Sequence, residues 1–412
     1  MKLFIYLTFY FIGFGYYFYK HKPRRWKDML YISVMLFMIS TFNYPALIQY
    51  GIRILALGLS VISLTKTLRV LKKSNIAFIT IIYILLCLFS TIYSVNRLET
   101  FVKSLEMFIL LLCIWSLFSI EDKKIVINKL FNHIIYIAIL QLIIMVFGYI
   151  FNNHNFSSVT NNILPISQLK GGYLGANMTA AMAILPFIWA LHKKKSQKKY
   201  IIIVFCLSVM LLAQSRTSVF ITGILVIVGF FNTKRKYLYV IGFCIGIYFI
   251  YHYQDTIMLY ILRGQNIDQF SNMSGRKTMW ALAQSYIEQR PLLGYGFGAG
   301  GYIVSSQHYG MSTLHSAFYE TLMGVGWIGL SLLVLQVFFA GFKILIHILR
   351  YGLKFCTFEV MIYIYLLARS YTGVSIGSWV SIELVLWYIF IFSLEYLPKN
   401  LSLNSLIKID RL

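Results

Sequence analysis

Apolar stretches of roughly 15 to 22 residues recur along almost the whole chain, and short charged or polar stretches separate them. Hydrophobic residues make up 59% of the 412 residues. The stretches are too long, and too uniformly apolar, for the alternating strands of a membrane β-barrel. The pattern therefore predicts an all-α, polytopic transmembrane protein that forms a single integral membrane domain over residues 1–412.

We predict about 12–13 spans from the length of these stretches. The first is predicted to be a retained helix, because no small-residue cleavage site follows MKLFIYLTFYFIGFGYYFYK. The spans lie near 3–19, 29–48, 51–68, 76–95, 105–120, 130–151, 174–191, 200–213, 217–231, 238–253, 314–340, 357–374 and 378–397.

The formal net charge of +24 would suggest a nucleic-acid partner in a soluble protein. Here most of the 37 lysines and arginines fall in alternate connections, which is the distribution that the positive-inside rule describes for cytoplasmic loops. We therefore expect a lipid bilayer and no nucleic acid as partner. The basic connections are 20–28, 66–73, 121–129, 192–199, 232–237, 341–356 and the segment from Pro398.

One connection on the opposite, extracytoplasmic side is unusually long, spanning residues 254–313. Within it, SNMSGRKTMWALAQSYIEQRP predicts a short helix with Ser274 as N-cap and Pro291 after its end, and Arg276, Trp280, Ala283 and Ile287 share one face. GYGFGAGG at 294–301 contains GxGxxG, but no strand precedes it. We interpret it as a tight glycine turn that presents backbone N–H groups to an anion.

Eleven lysines and arginines break the positive-inside trend, and three of these arginines lie at the outer ends of spans or in the large loop: Arg216, Arg276 and Arg369. An arginine at the apolar boundary costs free energy and usually has a partner or a task, and a guanidinium suits phosphate. They predict an anion site, whereas Arg97 and Arg290 are interpreted as side chains that snorkel to lipid phosphates. The five cysteines lie in or at the edge of apolar segments and lack metal-ligand spacing, so neither disulfides nor a zinc site is expected.

The segment LHSAFYETLMGVGWIG places His315, Tyr319, Leu322, Gly326 and Gly329 on one helical stripe. A lone histidine on a membrane helix is commonly a structural hydrogen-bonding group. Glycines, however, let a neighbouring helix approach closely, which would fix the height of His315. A neutral imidazole there could accept a proton near physiological pH.

The order of these motifs resembles the bacterial O-antigen ligase and O-antigen polymerase superfamily. Ser215-Arg216 ends one span, SGRxxxW and RPLLGYGFG follow in the large loop, and His315-Ser316, nine residues and Gly326-x-x-Gly329 close it. The resemblance covers about residues 170–340 by motif and nearly the whole chain by topology.

The resemblance implies a metal-independent glycosyltransferase of the bacterial cytoplasmic membrane, with its active site on the extracytoplasmic face. The donor would be a glycan linked to undecaprenyl diphosphate, whose sugar–diphosphate bond already holds the energy for the transfer, so no cofactor is expected. Arg216 and Arg276 would hold the diphosphate, and His315 would activate or orient the acceptor hydroxyl. A chain-length regulator and a flippase are the implied protein partners. We further predict that substrate contacts Arg369, Lys277, Ser316, Trp280 and Tyr319.

Two activities fit these motifs. A polymerase would join lipid-linked repeat units for O-antigen, capsule or exopolysaccharide, and a ligase would transfer the glycan to a lipid A core or another acceptor. We favour the polymerase because RPLLGYGFG is more polymerase-like and no added soluble domain suggests a protein acceptor. A transporter is less consistent, because transporters usually show internal repeats and charged residues at mid-membrane.

Overall fold

A computed structural model describes residues 26–41, 46–151, 157–158, 168–170, 175–192, 197–230, 244, 248, 251–262, 276–307 and 313–396. Within these ranges nearly all of the chain is helical. The α-helices are α1 Trp26–Ser40, α2 Ala46–Thr67, α3 Asn75–Phe89, α4 Arg97–Ile120, α5 Lys123–Ile150, α6 Ala176–His192, α7 Gln197–Leu212, α8 Arg216–Phe230, α9 Gln254–Leu262, α10 Arg276–Gln289, α11 Ala299–Gln307, α12 Ala317–Tyr351, α13 Thr357–Thr372 and α14 Ile382–Tyr396.

Short elements complete the described secondary structure. Single turns of 3-10 helix lie at Leu68–Val70, Ser90–Ile92 and Leu353–Phe355. The two-residue strands β1 Ser157–Ser158 and β2 Gln168–Leu169 pair antiparallel.

Five helical segments are long and apolar enough to cross a membrane: Ile48–Val70, Asn75–Ile92, Arg97–Ile120, Lys123–Ile150 and Ala317–Tyr351. The helices α6 and α8 are also apolar but shorter. These segments confirm the predicted all-α, multi-pass membrane architecture. The predicted span 3–19 and most of the predicted span 238–253 lie outside the described residues.

Several helices extend beyond the apolar windows that predicted them. The helix α5 begins at Lys123 rather than near 130, because the Asp122 carboxylate accepts hydrogen bonds from Lys124 N at 2.9 Å and Ile125 N at 3.4 Å. Similarly, α12 continues to Tyr351 rather than 340 and ends at Gly352, whose φ is +80°. Polar residues such as Lys343 do not disfavour helix, so hydropathy alone misplaces these ends.

The chain divides into two compact units. The first contains α1, α2, α5, α6, α7 and the C-terminal end of α4. In this unit α1 packs on α2, and α6 packs on α7. Glu121 accepts hydrogen bonds from Lys27 Nζ at 2.9 Å and Tyr31 Oη at 2.7 Å, which anchors the start of α1.

The second unit contains α3, the first part of α4, and α8 to α14. Here α12 packs against α3, α10, α11, α13 and α14, and α13 packs against α8. The predicted large loop, 254–313, contains α9, α10 and α11, as expected. Its apolar side chains continue into the first part of α12 as one buried cluster of Met279, Ala283, Ile287, Tyr295, Ala299, Val304, Leu314, Leu322 and Met323. Every predicted site residue belongs to this second unit.

The long helix α12 is interrupted at Val325 and Gly326, where Gly326 has φ 65° and ψ −166°. In a continuous helix the N–H groups of Trp327 and Ile328 would donate to Met323 O and Gly324 O. Here Tyr295 N and Gly296 N donate to those two oxygens, at 2.9 and 2.8 Å.

The freed N–H groups are also paired. Trp327 N donates to Pro291 O at 2.8 Å, and Ile328 N donates to Leu292 O at 3.4 Å. The loop 291–296 thus replaces the missing helical bonds one for one, so the kink leaves none of these four groups without a partner.

Candidate functional site

His315 does not lie on the helix that the stripe predicted. The helix α12 begins at Ala317 with Ser316 as N-cap, and His315 precedes it with φ 52°, a left-handed conformation that is uncommon for a residue with a side chain. The single stripe from His315 to Gly329 is therefore wrong at both its start and its middle, because the kink at Gly326 also breaks the helical register.

The backbone on both sides of His315 is held by hydrogen bonds from three elements. Trp280 Nε1 of α10 donates to Leu314 O at 2.9 Å, and Leu314 N donates to Glu320 Oε1 at 2.7 Å. Ala317 N donates to Gly373 O, after α13, at 3.0 Å. The imidazole itself is exposed, and its Nδ1 lies 3.3 Å from Thr313 Oγ1. This segment therefore presents a mostly free imidazole from a fixed backbone.

Aromatic side chains form the base of this segment. Trp280 stacks on Tyr319 with ring centroids 5.2 Å apart and an interplanar angle of 8°. Tyr371 meets Trp280 edge-on at 5.5 Å, and its side chain is 48% exposed. The helix α10 was predicted correctly, since it runs from Arg276 to Gln289 and buries Trp280, Ala283 and Ile287. The predicted N-cap, Ser274, lies outside the described residues.

The three predicted arginines come together at Arg276, and two of them, Arg276 and Arg369, act on His315. Arg276 is the first residue of α10, Arg216 is the first residue of α8, and Arg369 lies in the last turn of α13. Partial removal from water lowers the pKa of Arg276, and the positive charges of Arg369 and Arg216 lower it further. These side chains are therefore close enough for their charges to repel one another.

The charges of the arginines also act on the histidine. Loss of surrounding water lowers the pKa of His315, although its ring keeps contact with solvent, and the charges of Arg276 and Arg369 lower it further. His315 is therefore held in its neutral form, in which one ring nitrogen can accept a proton.

Two of the arginines occupy positions that helix electrostatics disfavours. Arg276 and Arg216 each start a helix, where the backbone N–H groups already carry partial positive charge. Such helix starts attract anions, and phosphate above all. A bound anion would offset the mutual repulsion of these arginines.

Arg369 differs from the other two arginines, because it is buried and ion-paired. Its Nη2 lies 3.5 Å from Glu383 Oε1, and both side chains are almost completely buried. Its guanidinium also fills the space beside Gly373, where a Cβ would come within 2.9 Å of Nη2. Arg369 thus packs against Gly373, and the carbonyl oxygen of Gly373 accepts the hydrogen bond from Ala317 N, two residues after His315.

The other predicted contact residues are distributed around this centre. Ser316 is buried as the N-cap of α12, Tyr319 is half-buried in its first turn, and Lys277 is exposed on α10 beside Arg276. Sequence reasoning did not identify Glu320, which binds the backbone next to His315. The signal was available, because an acidic residue in an apolar helix is a functional candidate by default.

The two glycines of the motif serve packing, mainly at the kink itself, and the predicted approach of a neighbouring helix applies to Gly329 alone, where a Cβ would lie 3.6 Å from Leu86 of α3. A Cβ on Gly326 would lie 2.2 Å from Leu292 O, so its partner is the backbone of the loop 291–296. A Cβ on Gly329 would lie 2.2 Å from Val325 Cγ2 of its own helix. Gly329 therefore makes room for the side chain that the kink displaces.

The glycine-rich turn was predicted correctly as a turn but wrongly as an anion cradle. Gly294, Gly296 and Gly298 all have positive φ. However, the N–H groups of residues 294–297 donate to protein oxygens, namely Arg290 O, Met323 O, Gly324 O and Ser90 Oγ. The turn is an architectural element that joins the large loop to α3 and α12.

Comparison with known protein families gives a match to part of the chain. Residues 201–334 match a protein-family model described as "O-Antigen ligase", and this segment includes Arg216, Arg276, His315 and both glycines. The match confirms the resemblance to the O-antigen ligase and polymerase superfamily over that part of the chain. No curated protein matches the sequence. Together with the apolar helices, the match supports a multi-pass membrane enzyme of O-antigen or polysaccharide assembly.

Proposed function

We propose that this protein is a polymerase that joins oligosaccharide repeat units carried on undecaprenyl diphosphate, at the outer face of the bacterial cytoplasmic membrane. The observation that carries the proposal is the cluster of Arg216, Arg276 and Arg369, of which Arg276 and Arg369 lie near an exposed, neutral His315. A glycosyl transfer from a lipid diphosphate needs both parts: a cationic site for the leaving group and a base for the acceptor hydroxyl.

The arginines would stabilise the departing diphosphate. As the acceptor oxygen bonds to the anomeric carbon of the donor, the bond from that carbon to the diphosphate oxygen breaks, and negative charge accumulates on the lipid diphosphate. Guanidinium groups offer planar, paired donors and stay charged, so they can stabilise that charge without a divalent metal. Arg276 and Arg216 lie at helix starts, whose dipoles add to the same effect.

His315 would accept the proton of the acceptor hydroxyl. Its imidazole is exposed, and the neighbouring positive charges favour the neutral form that can act as a base. When the diphosphate binds, it neutralises part of that positive charge, so the proton affinity of His315 rises in the step that uses it.

The second candidate activity is that of an O-antigen ligase, which is the activity named in the description of the matching family model. In a polymerase the acceptor is a second lipid-linked unit, whereas in a ligase it is a lipid A core or another acceptor. The motif RPLLGYGFG, as a sequence resemblance, supports the polymerase.

Reconstitution separates the two activities. The protein is placed in liposomes with the undecaprenyl-diphosphate repeat unit of the same cell, and glycan products are resolved on a gel with and without EDTA. A ladder that survives EDTA and disappears in Arg276→Ala supports a metal-independent polymerase. Transfer that requires an added lipid A core identifies a ligase.

A matched control is Arg97→Ala, which removes an exposed arginine at the start of α4 and is expected to keep the ladder. Products that are equally strong in Arg276→Ala and Arg97→Ala would contradict the role of the arginine site. Flux of the lipid-linked glycan without any covalent product would favour a transporter.

A further inference from the structure

Beneath the exposed histidine lies a buried carboxylate that the proposed reaction does not use directly. Glu320 belongs to the first turn of α12 and is 4% exposed. Its Oε1 accepts a hydrogen bond from Leu314 N at 2.7 Å, while its Oε2 has no hydrogen-bond partner. A buried, half-satisfied carboxylate is costly, so its retention in an apolar helix calls for a reason.

We propose that Glu320 is the positioning residue of His315: its carboxylate holds the Leu314 N–H and thereby fixes the left-handed backbone that presents the imidazole. Leu314 is bonded on both sides, because Trp280 Nε1 donates to its carbonyl oxygen at 2.9 Å. His315 follows directly with φ 52°, a conformation that a side-chain-bearing residue keeps only when its surroundings impose it.

The contact differs from ordinary capping of a helix start. In a capping box the acidic residue at the third helical position bonds the N–H of the N-cap itself. Here Ser316 is the N-cap, and Glu320, the fourth residue of α12, reaches past it to Leu314. The bond therefore closes a loop around His315 and does not satisfy an N–H of the helix.

Gly300 of α11 lies against the other side of the Glu320 carboxylate. A Cβ at Gly300 would lie 2.7 Å from Glu320 Oε2 and 3.2 Å from Leu314 Cδ1. Only a glycine leaves room for Glu320 in its present position. Gly300→Ala therefore displaces the same carboxylate while it keeps the charge, and it gives a second, independent way to disturb the contact.

The test compares Glu320→Ala, Glu320→Gln and Gly300→Ala with wild type and with Glu288→Ala, which removes an exposed carboxylate from α10. Glutamine keeps an acceptor oxygen for Leu314 N but carries no charge. The first readout is the 13C–1H resonance of the His315 imidazole in protein labelled at histidine and held in nanodiscs, assigned by its loss in His315→Asn. This readout needs no substrate.

We expect the His315 resonance to move to the position of a freely averaging histidine in Glu320→Ala, to move part of the way in Gly300→Ala, and to stay in Glu320→Gln and Glu288→Ala. The second readout rests on the proposed function. Glycan turnover at saturating donor should fall roughly 10- to 100-fold in Glu320→Ala with a small change in KM, and stay within about threefold in Glu320→Gln, because misplacement by about 1 Å costs rates of this order.

Two results would overturn the proposal. One is a wild-type His315 resonance in Glu320→Ala protein that elutes as a folded species. The other is equal damage from glutamine and alanine, which would mean that the charge of Glu320, and not its acceptor oxygen, is what matters. If the resonances behave as expected while wild type forms no glycan product, the positioning role stands and the proposed function fails.

Discussion

The segment before α12 and the kink inside α12 both use left-handed backbone, but in opposite ways. At the kink the residue with positive φ is Gly326, and the loop 291–296 makes four backbone hydrogen bonds to helical groups on either side of it. Before the helix the residue with positive φ is His315, and positively charged side chains crowd around it. A positive φ at a glycine whose neighbouring backbone groups are paired indicates an architectural role. A positive φ at a histidine that lies beside positively charged arginines indicates a candidate functional residue.

The same contrast appears in the two halves of the sequence motif. His315-Ser316 provides the histidine that we propose as the base, and Gly326-x-x-Gly329 provides a socket for the backbone of the large loop. The loop that enters the socket follows directly after α10, the helix that starts with Arg276. The socket therefore anchors the C-terminal end of α10, and the N-terminal end of α10 carries Arg276.

The largest expected effect comes from His315→Gly. Glycine adopts positive φ freely, so the melting temperature should stay equal to or slightly above that of wild type, while turnover falls roughly 10²- to 10⁴-fold because the base is lost. Thermal unfolding in detergent and the liposome gel measure the two effects separately. Turnover within tenfold of wild type would remove His315 from the chemistry.

Gly326→Leu is expected to lower stability directly and activity only as a consequence, in contrast to His315→Gly. The φ and ψ of Gly326 belong to a region that is essentially open to glycine alone, and a Cβ would lie 2.2 Å from Leu292 O. The melting temperature should fall clearly, and activity should fall with it although no site residue is changed. Wild-type turnover in this variant would contradict the anchoring role of the kink.

Gly58→Leu is a matched control for that substitution. Gly58 lies on the exposed side of α2, and a Cβ there would meet nothing within 4 Å. Leucine also has a higher helix propensity than glycine. The control should therefore leave the melting temperature unchanged or raise it.

Sequence reasoning predicted what depends on local pattern. The apolar stretches predicted the five described helical segments that are long enough to cross a membrane, and the face of Trp280, Ala283 and Ile287 predicted α10, because burial follows helical periodicity there. The expectation that Arg216, Arg276 and Arg369 share one side of the membrane linked them in the sequence, and in the structure the charges of Arg369 and Arg216 act on Arg276.

What depends on contacts between distant residues was missed. Nothing in the apolar run through Val325 signals a break, because the break is stable only when residues 291–296 supply four backbone hydrogen bonds. The start of α12 was placed too early for the same reason, since Leu314 is held by Trp280 and Glu320 and is not helical. Periodicity describes a helix by itself and does not include such partners.

The charge cluster around His315 can be tested without any substrate. In Arg276→Gln a positive charge beside the imidazole is lost, so protonation becomes easier and the pKa of His315 should rise from its lowered value towards the usual value of about 6.5. An NMR titration of labelled histidine measures it. A His315 with a raised pKa becomes protonated at a higher pH as the pH is lowered. Arg276→Gln should therefore lose the activity that depends on a neutral His315 at a higher pH than wild type does.

Arg97→Gln is the charge-matched control for this titration. Arg97 is exposed at the start of α4, and its loss should leave the pKa of His315 where it is in wild type. A His315 pKa that is the same in Arg276→Gln and Arg97→Gln would show that Arg276 does not act on His315.

The smallest expected effect concerns the far side of the glycine-rich turn. Ser90 Oγ accepts a hydrogen bond from Phe297 N at 2.9 Å, and Phe297 O accepts one from Thr100 Oγ1 at 2.8 Å. Ser90→Ala leaves a buried N–H without its acceptor, which should lower the free energy of unfolding by about 1–3 kcal/mol. Ser393→Ala is the matched control, because that buried hydroxyl donates back to Ile389 O within α14 and its loss leaves no N–H unpaired. Chemical unfolding in detergent should show the larger loss for Ser90→Ala, and equal losses would mean that the turn is held by the kink alone.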